Sequence, residues 1–126
     1  MKNLLAVLFG LFTSIVVTAQ LTIIVDNIPD NTPDNDPIYI AGDFQNWNPG
    51  SAAHMLIKDN TLNIHYITLP ADIGDIKFKF TRGDWSKVES NEDGNFIPDR
   101  FYSSSNGDTI YLQILGWEDL DGSGGG

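Results

Sequence analysis

The sequence predicts an all-β domain, a sandwich or small barrel of seven or eight short strands. Apolar and polar residues alternate along short segments, which is the period of a half-buried strand. Turn residues recur every eight to twelve positions between those segments. Beyond the first twenty residues, no stretch carries apolar side chains at helical spacing.

The first nineteen residues have the makeup of a secretory signal. Lys2 supplies the positive start, 4–17 is an apolar run interrupted by Gly10, Thr13 and Ser14, and Val17-Thr18-Ala19 offers a cleavage site before Gln20. The run is too short and too broken for a convincing membrane span. No Cys follows it to carry a lipid. The signal makes a secreted or periplasmic location the expectation, and the lack of Cys, unusual in a small eukaryotic secreted domain, is ordinary in a bacterial one.

Residues 21–25 form the first expected strand, with Leu21, Ile23 and Val25 on one face. The segment 26–37 holds three Pro and four Asp, which excludes a helix. Asp30, Asp34 and Asp36 supply hard oxygen ligands, but their spacing matches no calcium loop, and no metal is expected. The second strand, 37–41, puts Ile38 and Ile40 on one face and Tyr39 on the other, then runs into the turn Asn46-Trp47-Asn48-Pro49-Gly50. A short apolar segment, 54–58, leads to the hairpin signal Asp59-Asn60. In the strand 61–69, Leu62, Ile64 and Tyr66 alternate, and then the apolar phase passes to Ile67 and Leu69; that slip predicts a β-bulge.

The strand 75–82 is the cleanest, with Ile76, Phe78 and Phe80 opposite Lys77, Lys79 and Thr81. Gly83-Asp84 turns the chain into a short strand at 85–89, and 90–95 is an acidic turn. A brief strand at 99–102 and a polar loop at 103–107 precede the last strand, 109–115, with Ile110, Leu112 and Ile114 inward. Trp117 is expected to close the sandwich edge or meet a further domain. The folded part is thus expected over 20–117, followed by a Gly-rich linker or tail at 118–126. Such an end on a secreted all-β domain suggests the first module of a longer protein, with an expression tag as the alternative.

The formal charge is −10, and loss of Lys2 makes it −11. An acidic surface repels phosphate backbones and anionic lipid, which argues against nucleic acid and membrane partners. Catalytic patterns are lacking. Ser103, Ser104 and Ser105 form no nucleophile elbow, and Ser123 lies in the Gly-rich end. His54 and His65 sit among apolar residues, and two His without Cys make a poor zinc set. Glycoside hydrolysis needs two facing carboxylates, whereas the acidic residues here lie mostly in turns. No catalytic residue, metal or cofactor is expected.

What stands out is aromatic. Trp47 is lifted on a polar turn, Trp85 follows another tight turn, and Lys79 lies between them in sequence. A Trp on a turn serves either core packing or as a flat platform for a ring-shaped ligand. A sugar ring has an apolar C–H face for such a platform and a hydroxyl rim for Lys or amide groups. Two exposed Trp rings set at an angle would follow the curve of a helical α-glucan.

At these residues the chain resembles the starch- and glycogen-binding modules, carbohydrate-binding module families twenty and forty-eight. IYIAGDFQNWNP is similar to their G-x-F-x-x-W strand and turn, which carries the first stacking Trp. IKFKFTRGDWSKVE is similar to their Y-K-F…W hairpin, which carries a sugar-bonding Lys and the second Trp. The resemblance implies an immunoglobulin-like antiparallel β-sandwich of seven to eight strands. It implies stacking of glucose rings on Trp47 and Trp85 and hydroxyl bonding by Lys79. Asn106 is the nearest match, offset, to a family Asn before the last strand. In the starch-binding branch the second Trp falls nearer Val88, with an acidic residue after it that Glu89 matches; in the glycogen-binding branch it falls earlier, as Trp85 does.

A longer pattern, from GDFQNWNPG through DGNFIPDR to Trp-Glu-Asp-Leu, resembles the N-terminal module of secreted bacterial esterases. That resemblance implies a C-terminal catalytic domain beyond this chain. The expected function is a noncatalytic, monomeric module for α-glucan: starch, glycogen or malto-oligosaccharide. The alternative is a β-sandwich that braces a downstream esterase or hydrolase without binding glycan.

Overall fold

A computed structural model describes residues 20–70, 72–103 and 107–120. The expected signal at 1–19, Asn106, and 121–126 of the expected tail lie outside the described residues. Among the described residues the chain forms β1 (Leu21–Asn27), β2 (Tyr39–Gly42), β3 (Ile57–Asp59), β4 (Ile64–Leu69), β5 (Asp75–Thr81), β6 (Glu89–Ser90), β7 (Arg100–Ser103), β8 (Thr109–Gln113) and β9 (Gly116–Trp117). Three single 3₁₀ turns, at Asp43–Gln45, Ala52–His54 and Trp85–Lys87, complete it, and no α-helix forms among the described residues.

The strands make a four-stranded sheet, β3-β4-β1-β8, a three-stranded sheet, β2-β5-β7, and a small pair, β6-β9. All pairings are antiparallel except β1 with β8, which run parallel. The two larger sheets face each other across one core. Leu21, Ile23, Val25, Ile67 and Leu69 come from one sheet, and Ile40, Ile76, Phe78 and Phe80 from the other. This is the predicted all-β sandwich, and the alternating residues of β1 and β5 build it.

The expected bulge in 61–69 is absent. The β1–β4 register runs without a break from Leu21 opposite Leu69 to Val25 opposite His65. Ile67 and Leu69 face the core, whereas Ile64 and Tyr66 lie on the outer face and Leu62 is exposed in the preceding turn. Apolar side chains thus line both faces, which mimics a phase slip in sequence. An irregularity occurs instead between Val25 and Asn27, where β1 pairs with β8.

Trp117 lies inside the core rather than at its edge. Its indole N–H donates to Thr32 Oγ1 at 2.8 Å, and the Arg82 guanidinium lies 5.0 Å from its ring. Arg82 is also paired with Asp36 at 3.1 Å and with both carboxylate oxygens of Asp119, at 2.8 and 3.0 Å. Burial alone would lower the Arg82 pKa, but the bonds to Asp119 and Asp36 raise it overall. The Arg82 bond holds the Asp119 carboxyl below its ordinary range. The Glu118 amide donates to Val88 at 2.9 Å, and Leu120 packs on the core. These contacts fasten 118–120 to the rest of the fold.

Candidate functional site

The turn after β2 is wired by one side chain. Gln45 Oε1 accepts from the Gly42 amide at 3.1 Å and from the Asn48 amide at 2.7 Å, while its Nε2 donates to the Asn48 carbonyl at 2.9 Å. Asn48 Oδ1 accepts from the Gly50 amide at 3.1 Å. Inside this frame Asn46 and Trp47 both take left-handed backbone angles, φ 61° and 56°. Asn tolerates that region; for a bulky residue it is strained. The surrounding bonds hold the strain, and the Trp47 amide donates to Gly42 at 2.9 Å.

Trp85 begins the 3₁₀ turn that follows β5. The capping Asp84 accepts from the Ser86 amide at 2.8 Å, which lowers the Asp84 pKa. The Arg82 amide donates to Lys87 at 3.1 Å and closes the hairpin. Gly83, at φ 107°, makes the reversal.

Two contacts bring the turns together. Thr81, on the outer face of β5, donates through its hydroxyl to the Pro49 carbonyl and accepts from the Gly83 amide at 3.1 Å. Gly50 lies so near Gly83 that a Cβ at position 50 would stand 2.6 Å from the Gly83 carbonyl oxygen. The outcome is a pair of indoles 6.3 Å apart, tilted 43° to each other. Trp85 is 40% exposed and Trp47 half-buried, with Asn46 and Asn48 exposed beside Trp47. Two angled aromatic faces with amides at the rim suit a ligand of apolar faces and hydroxyl edges.

The other expected site residues are placed differently. Lys79 lies on the outward face of β5, opposite Ala41, but it is only 5% exposed. Its ammonium donates to the Ile97 carbonyl at 2.6 Å and sits 4.4 Å from the centroid of the Phe96 ring. The hydroxyl-bonding ammonium that the resemblance implied is therefore corrected to a covered one, with Phe96 and Ile97 against it. Glu89 is corrected too. It has no exposure, it accepts from the Phe80 amide at 2.9 Å, and Arg100 binds its two oxygens at 2.9 and 2.7 Å. It is a buried structural carboxylate with no face toward a sugar. Asn106 lies outside the described residues.

No family model matches the chain. Its relatives are much longer proteins. Over 95 residues it is 34% identical to an alpha-amylase of Niallia circulans, which covers 74% of this chain and 7% of that enzyme. Over 105 residues it is 40% identical to an amylopullulanase of Thermoanaerobacterium thermosulfurigenes, covering 77% of this chain and 6% of the relative. An amylopullulanase of Thermoanaerobacter thermohydrosulfuricus is 41% identical over 68 residues, 52% of this chain and 4% of its own length. The chain is similar to a small part of large amylases. It spans less than a tenth of the length of each of these relatives.

The sequence pointed to the two Trp residues but passed over Phe96, which is 72% exposed on the segment that covers Lys79. The available signal was an aromatic residue in a polar, acidic turn, as Trp47 is in its own. A polar cleft lies elsewhere, between the end of β1 with the loop that follows it, from Val25 to Asp34, and Lys58, Asn63 and His65. Burial, then the nearby Lys58 charge, lowers the His65 pKa from its ordinary 6.5.

Proposed function

We propose that this domain is a noncatalytic carbohydrate-binding module for α-glucan, joined to a larger secreted enzyme. The supporting observation is the pair of tilted indoles 6.3 Å apart, one of them 40% exposed, on turns locked to each other. Glucose rings stack their apolar faces on Trp47 and Trp85, and Asn46 and Asn48 lie where they can bond hydroxyls. The similarity to a small part of alpha-amylases and amylopullulanases supports an accessory role beside enzymes of that kind. Isothermal titration of the folded domain with maltoheptaose and with glycogen tests the reading. Saturable heat with either ligand is expected; no heat with both removes this ligand class.

A second reading, a domain that braces its neighbour, has its own observation. On the outer face of the four-stranded sheet, Ile57, Tyr66, Ile24 and Tyr111 stand in one cross-strand row. Ile57 and Tyr111 are exposed. An apolar row on a sheet face is the kind of surface a second domain covers. Acrylamide quenching separates the readings in a longer chain carrying the neighbour. Indoles that become shielded would count against glycan binding at the tryptophan pair, and bracing through the sheet face predicts that Ile57→Ser with Tyr111→Ser loosens the neighbour while glucan binding stays intact.

A further inference from the structure

We propose that Phe96 is a third aromatic contact of the platform and that Lys79 is its positioning residue. This rests on the α-glucan reading above. Among the described residues Phe96 is the most exposed of the large apolar side chains, at 72%. It is nevertheless held in place. The Lys79 ammonium lies 4.4 Å from the ring centroid and donates to the carbonyl of the next residue, Ile97, at 2.6 Å. One ring face meets the cation, which leaves the other open to a ligand. The start of the same segment is braced by Asn91, whose Oδ1 accepts from the Asp93 and Asn95 amides, both at 2.9 Å.

Lys79 is almost fully covered, yet among the described residues no carboxylate pairs with it. Burying an ammonium without a counter-ion is unfavourable unless its hydrogen bonds and contacts compensate. Here the compensation comes from the Ile97 carbonyl and the Phe96 ring, so the charge is tied to the placement of that ring. The position also fits. Lys79 and Thr81 share the outer face of β5, one same-face step or about 7 Å apart. Thr81 is the residue that anchors the Trp47 turn through Pro49. Through Lys79, Phe96 is thus tied to the same face of the strand that anchors the Trp47 turn, and we place a further sugar ring of a longer glucan chain on it. Lys79 thus acts through Phe96 rather than by bonding hydroxyls itself.

The test is a titration series with maltotriose and maltoheptaose. Phe96→Ala removes an exposed side chain and is expected to weaken maltoheptaose about tenfold, the scale of one stacked ring, with maltotriose nearly unchanged. Lys79→Met is expected to cause a similar loss in the Phe96 background and none in the Phe96→Ala background. If Lys79→Met does not fold, Lys79→Arg, which keeps a cation and a donor, takes its place and is expected to retain binding. Unaltered maltoheptaose binding by Phe96→Ala, with wild type binding normally, overturns this inference alone. Equal losses from Lys79→Met in both backgrounds overturn the positioning role. A wild type that binds neither oligosaccharide removes the platform reading, and this inference with it.

Discussion

Trp47 carries a backbone strain that a smaller residue would carry more easily, at φ 56° directly after Asn46 at 61°. A left-handed non-glycine residue costs on the order of 1–3 kcal/mol, and the Gln45 bonds hold it in place. Trp85 needs no such strain and is 40% exposed. Removing either ring, by Trp47→Ala or Trp85→Ala, is expected to weaken α-glucan binding by ~1–3 kcal/mol, the scale of aromatic stacking on a ring-shaped ligand. Calorimetric titration checks each variant, and Trp85→Ala should leave thermal unfolding almost unchanged. Glu89 behaves oppositely. It is fully buried and bound by Arg100 and the Phe80 amide. Glu89→Gln leaves the Arg100 charge without its counter-ion and is expected to destabilise the domain by about 3–5 kcal/mol in urea unfolding.

At the scale of elements, two turns carry the indole pair, and Gly50 sets their distance. Gly50→Ala would place a methyl group 2.6 Å from the Gly83 carbonyl oxygen, so the turns must part. A loss of about 1–3 kcal/mol of stability is expected from such overpacking, together with weaker glucan binding, read by urea unfolding and titration. The turns themselves were legible in the sequence, because Asn-Pro-Gly and Gly-Asp signals are local. Their contact was not, since it depends on Thr81 reaching Pro49 thirty-two positions away. β1 and β5 were legible from alternation, whereas β3, β6 and β9 are too short to show a period. Lys79 shows where strand alternation stops being informative. Its alternation gave the correct face of β5, but a strand's period does not report whether a loop later covers that face. Glu89 was misread for a related reason, because its partner Arg100 lies eleven positions on.

For the molecule as a whole, β1 and β8 run side by side, and Arg82 ties the first loop, through Asp36, to the last described turn, through Asp119. Acid should loosen this assembly in two stages. The folded pKa of His65 lies below 6.5, chiefly from burial. The unfolded chain then binds the extra proton first, so stability is full above pH 6.5 and declines as pH falls below it. Asp119, held down by the Arg82 bond, adds a second loss below pH 3.8. Urea unfolding across pH should show both declines, and His65→Gln should remove the upper one.

The three tryptophans provide a built-in control for the binding claim. Trp47 and Trp85 form the outward pair, and Trp117 is in the core with its N–H bonded to Thr32. The most direct measurement follows the three indole N–H resonances during a maltoheptaose titration. Movement of the Trp47 and Trp85 signals with a still Trp117 is the expected result. Saturable binding that leaves both platform signals in place would contradict it.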